Sequence, residues 1–164
     1  MIETDRLVLR RARAGDLGAF HTMMTDPRVM RYWSCPPHEN LAQTQAFLQH
    51  LMQSEAQDSE EFVIEHEGRC IGKAGCWRPA EVGFLLHPAF WGHGFAREAV
   101  RAILPYCFAK YADAPCLTAD CDPRNVRSVT LLKKLGFVHL RTVEKDFLYG
   151  EEWCDTAYFD LPRP

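Results

Sequence analysis

The stretch HPAFWGHGFAREAV, residues 87–100, decides how the chain reads. Two glycines, Gly92 and Gly94, stand between the apolar run EVGFLL (residues 81–86) and a stretch that opens a helix at Phe95. Glycine in such a place marks backbone that bends unusually or comes close to something. The first N–H groups of a helix lack intrahelical partners and sit at the positive end of its dipole. A strand, a glycine loop and a helix start therefore combine into an anion site. G-x-G alone is a weak signal. Arg97 stands where the dinucleotide fingerprint needs a third glycine, and Gly-Phe-Ala stands where a triphosphate loop needs G-K-[ST]. On this stretch alone, a tight strand-to-helix turn and a phosphate cradle are equally good readings.

Outward from it, alternation and helical spacing predict the other elements. RLVLR (residues 6–10) reads as a half-buried strand. Asp16 caps a helix over residues 16–25, which Asp26-Pro27 breaks. An irregular aromatic loop covers residues 32–38, and a second helix spans 40–54. Strands at 62–65 and 69–77 flank a Glu67-Gly68 turn. The strand at 81–86 feeds the glycine loop. A helix runs from Phe95 to about Ala109, kinked or restarted at Pro105. A strand follows at 116–121, then a helix at 125–135 stopped by Gly136. Two strands, 137–144 and 154–161, flank a polar loop, DFLYGEE. This order predicts one α/β (α+β) domain over residues 1–164. Its core is a mixed, largely antiparallel twisted sheet of about seven strands flanked by about four helices.

Composition narrows the class. A formal charge of -3 argues against a nucleic-acid binder. No apolar run reaches the length of a membrane span, and the start MIETDRLVLRR has no signal-peptide core. Seven cysteines, an odd number without C-x-x-C spacing, read as reduced core residues of a cytoplasmic protein. The seven histidines are scattered without metal-ligand spacing.

The stretch DCDPRNVRSVTLLKKLGF (residues 120–137) completes the pattern. Asn125 is a plausible N-cap, and Ser128 shares its face one turn on. Together, EVGFLLHPAFWGHGFAREAV, NVRS and LLKKLGF resemble the GNAT superfamily of N-acetyltransferases, and within it the RimJ/RimL-like branch. ETDRLVLR resembles that branch's first strand, and GEEWCDTAYFDL its closing strand pair. Trp91 departs from the usual Gln or Arg of the superfamily's loop, as is common in this branch, and removes one side-chain polar contact near the cofactor.

The resemblance implies an acetyl-CoA-dependent N-acetyltransferase acting by direct attack of a primary amine in a ternary complex. The alternative is a silent CoA-binding sensor or scaffold. The implied cofactor site comprises Phe84, Leu85 and Leu86 along the pantetheine arm. Trp91, Gly92, His93, Gly94, Phe95, Ala96 and Arg97 surround the pyrophosphate, and Asn125 and Ser128 complete the site. Arg124, Arg127, Lys133 and Lys134 form a basic cluster within reach of a 3′-phosphate. Glu81 is the first candidate for general base, with Glu151, Glu152 and His139 as rivals. Ser128, Tyr149 and Tyr158 are candidates for general acid, with Asn125 beside them. Tyr32 and Trp33 are expected to line the acceptor side, opposite the loop over residues 147–152. The acceptor is a peptide N-terminus or a small amine, no metal is implied, and two copies could pair through the C-terminal strands.

Overall fold

Side chains that alternate along a strand go to opposite faces of its sheet. Phe62 and Ile64 join one apolar cluster while Val63 joins another, and Val82 and Leu86 part from Leu85 in the same way. A sheet apolar on both faces needs a cover on each. The computed structural model describes residues 1–164, except for the side chains of Glu55 and Gln57, and shows both covers. Its strands are β1 (Ile2–Glu3), β2 (Val8–Arg10), β3 (Glu60–His66), β4 (Arg69–Arg78), β5 (Glu81–Leu86), β6 (Cys116–Cys121), β7 (Val138–Tyr149) and β8 (Glu152–Pro162). The helices are α1 (Leu17–Met24), α2 (Pro27–Met30), α3 (Leu41–Met52), α4 (Phe95–Lys110) and α5 (Val126–Lys134).

The strands lie in the order β1-β2-β3-β4-β5-β6-β8-β7. All neighbours are antiparallel except β5 and β6. Through Ala99, Val100, Ile103 and Cys107, α4 buries one face, and α5 adds Leu132. Phe20, Met23, Met24, Met30, Leu48 and Leu51, from α1 to α3, bury the other. That second face also holds a fully buried ion pair of Lys73 and Glu61, with the ammonium under the rings of Trp33 and Phe47.

Several expectations need correction. The sheet has an eighth strand, because Ile2–Glu3 pairs with β2. Asp26-Pro27 starts the short α2 rather than only ending a helix: Asp26 accepts from Arg28 N–H at 2.8 Å, and proline takes the first turn, where its missing N–H costs nothing. Asp16 does not cap α1 with its side chain; its carboxylate is held by Arg10 and by Arg13 N–H. Pro105 sits within an unbroken α4. DFLYGEE is mostly strand: β7 continues to Tyr149 and only Gly150-Glu151 turn.

Candidate active site

Where two strands diverge, their facing edges lose their backbone partners. Between β5 and β6 only Glu81 and Thr118 pair, tied by Thr118 N–H to Ala80 O at 2.8 Å. Beyond that apex the strands part. His87 N–H donates to Ile71 O at 2.8 Å, so by antiparallel alternation Phe84 and Leu86 direct their backbone groups away from β4, into the gap. Leu85 points into the second core instead, at 4% exposure.

The glycine loop lies at the end of this gap. Gly92 and Gly94 both have φ of +82°, the left-handed region that favours glycine, and Gly94 is the N-cap of α4. A Cβ on Gly92 would meet nothing within 4 Å. Conformation and access therefore explain that glycine, and internal packing does not. Among the described residues, no protein acceptor takes the N–H of Gly92, His93, Gly94, Phe95, Ala96 or Arg97. Six consecutive free donors at a helix start fit a diphosphate. The Phe95 side chain is buried, leaving its N–H as the group that faces outward.

Arg6 braces this loop. Its Nη1 donates to His93 O at 3.0 Å, its Nε to Glu98 Oε2 at 2.8 Å, and its guanidinium covers the Phe95 ring at 4.3 Å. Thr4 Oγ1 and Arg6 N–H donate to the other Glu98 oxygen. These bonds to Arg6 and Thr4 hold the Glu98 carboxyl below its usual range, against the desolvation that pushes it up.

Trp91 does more than remove a contact. Its Nε1 donates to Leu86 O at 2.7 Å, taking one lone pair of that carbonyl and leaving Leu86 N–H and both Phe84 groups without a protein partner among the described residues. The Arg127 guanidinium lies over the Trp91 ring at 4.8 Å, joining the loop to α5. Asn125 caps α5 by accepting from Ser128 N–H at 3.3 Å, so its amide donors and the Ser128 hydroxyl have no protein partner among the described residues. The basic cluster separates. Arg124 is taken by Asp122 and Glu152, whereas Lys133 and Lys134 are exposed at the far end of α5.

At the apex, Glu81 is 8% exposed and both its oxygens are engaged. Trp77 Nε1 donates to Oε1 at 3.0 Å and Arg78 Nη2 to Oε2 at 2.5 Å. Asp120 faces it from β6. The Asp120 carboxyl is pushed up to about 6, first by desolvation, then by the Glu81 charge and a hydrogen bond to it, against the pull of Arg78. Asp120 is exposed on its open side, so water offsets part of the desolvation; the effect of the Glu81 charge remains.

Tyr158, opposite Asp120 in the β6–β8 register, donates to Asp146, which raises its own proton affinity. Tyr149 donates to Met30 O at 3.1 Å, and burial raises it in turn. Both hydroxyl protons are thus committed. Tyr32 lies between Arg31 and Arg124, at 5.1 and 6.0 Å from its ring. Trp33 packs into the second core over Lys73. Glu152 pairs with Arg124 and His139 with Thr142, on the β7–β8 hairpin. Three residues at the site were not foreseen: Arg6, Trp77 and Asp120. Asp120 falls with Thr118 on the polar side of the CLTADC alternation, which places it on a strand face but gives no sign of its role.

Among the described residues, no group of three His, Cys, Asp or Glu is placed to hold a metal. No described helix is long and apolar enough to cross a membrane.

Comparison with known proteins identifies the family and the fold. The family description "Acetyltransferase (GNAT) domain" matches residues 6–138. The spermidine N(1)-acetyltransferase of Vibrio cholerae is 29% identical over 167 residues, covering 96% of this chain and 91% of that protein. In fold, a GNAT-family acetyltransferase from Bacillus anthracis superposes with a TM-score of 0.85 at 24% identity, over 98% of this chain and 97% of that one. RimL, a ribosomal L7/L12 alpha-N-protein acetyltransferase solved with coenzyme A, superposes with a TM-score of 0.82 at 15% identity, over 97% and 95%.

Proposed function

The chain belongs to the GNAT acetyltransferase family and is an acetyl-CoA-dependent acetyltransferase, and from that premise we propose that it acetylates a primary amine by direct attack within the β5–β6 gap. The free donors of residues 92–97 carry this reading. In it, those N–H groups hold the pyrophosphate, and Phe84 and Leu86 N–H bond the pantetheine as an added strand would. The amide donors of Asn125 and the Ser128 hydroxyl reach the arm from α5. Lys133, Lys134 and Arg127 are the cations available to the 3′-phosphate.

Acetyl-CoA supplies a thioester whose carbonyl carbon the amine attacks and whose sulfur leaves as the thiol. The protein's work is to position both partners and to move a proton. An ammonium ion must lose a proton before its nitrogen can attack. Glu81 was the expected base, yet its oxygens already accept from Trp77 and Arg78. In our reading desolvation and the neighbouring Glu81 charge raise the proton affinity of Asp120, and Asp120 takes the amine's proton directly or through water. Ser128 is the hydroxyl left to protonate the departing sulfur, since Tyr149 and Tyr158 donate elsewhere.

We read residues 1–164 as one domain acting in the cytoplasm. Pairing of two copies along β7, a free sheet edge with Val138, Leu140 and Leu148 exposed, belongs to the same proposal and is read by light scattering. The activity is tested by thiol release from acetyl-CoA with peptides, amino acids, polyamines and aminoglycosides. Release above hydrolysis with one of these classes is expected, and none with any would contradict the reading.

The Arg6 brace gives a separate expectation. Arg6→Ala frees the loop and unmasks the Glu98 charge beside the diphosphate. KM for acetyl-CoA should rise about tenfold, the loss of one charged hydrogen bond, with kcat nearly unchanged. Arg6→Lys should not restore it, because a flexible ammonium lacks the rigid fork that bonds Glu98 and His93 O while covering the Phe95 ring.

A further inference from the structure

Trp77 is 43% exposed at the end of β4, where the β4–β5 register shifts. Its indole packs closely against Gly83: a Cβ on Gly83 would come within 3.2 Å of Trp77 Cδ1. The Arg78 guanidinium stands 4.7 Å over the ring, while its Nη2 meets Glu81 at 2.5 Å. An aromatic face beside a carboxylate is the chemistry that holds a cation, and here the chain's own cation sits in it. The Arg78 side chain is 55% exposed. The Glu81 carboxylate is 10% exposed, so the pair is open to solvent on its Arg78 side alone, and there a ligand cation can displace the guanidinium. Beside this seat stands Asp120, close enough for the Arg78 charge to act on its carboxyl.

We propose that Trp77 and Glu81 form a subsite for a second cation of the acceptor, filled by Arg78 until the acceptor arrives. The acceptor is then an amine with a second positive charge a short alkyl chain away from the reacting nitrogen. One nitrogen gives its proton to Asp120 and the other replaces the guanidinium on Trp77. A carboxylate in the second position is disfavoured, because Glu81 and Asp120 both face it. The inference rests on Asp120 marking the reacting end.

The test needs no turnover. With CoA saturating, the Trp77 indole N–H signal, assigned through Trp77→Phe, is followed by NMR as 1,4-diaminobutane, 1-aminobutane or 4-aminobutanoate is added. The diamine should move this signal at concentrations where the other two do not. Arg78→Gln should tighten diamine binding by about fivefold or more, because the diamine no longer has to displace a guanidinium from the buried Glu81 carboxylate. Equal responses to the diamine and the monoamine, or none to any ligand, would overturn the proposal. So would a response to 4-aminobutanoate that Arg78→Gln abolishes, since Arg78 would then be a carboxylate binder. Failure of the Asp120 reading looks different: Asp120→Asn would keep its kcat while the indole signal still responded to the diamine.

Discussion

Asp120→Asn is expected to lower kcat at pH 7 by about 10²–10³-fold, within the range a general base contributes, and to make the folded protein more stable. The two effects have one cause. The unperturbed Asp120 value is 3.8 and the folded value about 6, so the fold favours the protonated form. Ionisation therefore costs stability as pH rises from 3.8 towards about 6, and the cost is fully present above that. Asparagine removes the charge and the cost, so Tm at pH 7.5 should rise. The carboxylate that destabilises the fold is the one able to take a proton. In the wild type, kcat should climb as pH rises through about 6 and then level off. In Asp120→Asn the residual rate should keep rising with the free-amine fraction. A variant with lower Tm and an unchanged pH profile would identify Asp120 as structural.

The second large effect concerns the loop. Gly94→Ala places a Cβ where φ is +82°, at a cost of roughly 1–2 kcal/mol for a non-glycine residue in the left-handed region. Its Cβ would stand 3.6 Å from Arg6 Nη2, an ordinary contact, so backbone strain dominates. Gly92→Val adds bulk in the open space over the free donors. A hydrogen bond to a charged group is worth about 1.5–3 kcal/mol. Losing one of them should weaken CoA binding about 10- to 100-fold by calorimetry. Gly150→Ala is the control: φ there is +60°, with nothing within 4 Å of its Cβ. It should lose stability and keep its CoA affinity. Equal losses of affinity from all three would mean that the loop glycines matter only for folding.

Much of the fold was legible because its signals are local. The apolar run EVGFLL, the turn at Glu67-Gly68 and the Gly136 stop each depend on a few adjacent residues. Pro105 starts no new segment because packing of Ile103, Cys107 and Phe108 against the sheet outweighs one missing helix bond. β7 was read short because nearly all of it is exposed, which leaves no alternation to follow. The loop donors were legible for the same local reason. The proposed proton-accepting end was not. Asp120 gains its character from burial and from the Glu81 charge across the gap, Arg6 acts on a loop that begins 86 positions further on, and Trp77 depends on Gly83 for room. Such partners meet only once β5 and β6 have paired at one residue and parted.

The claim that this gap holds the cofactor is tested most directly by amide NMR. CoA is titrated into ¹⁵N-labelled protein and the shifted N–H signals are mapped. The N–H signals of Gly92 to Arg97, Phe84 and Leu86 should move together at one affinity, with Asn125 and Ser128 following. Saturation by CoA with those signals unmoved, and shifts confined to other strands, would contradict it.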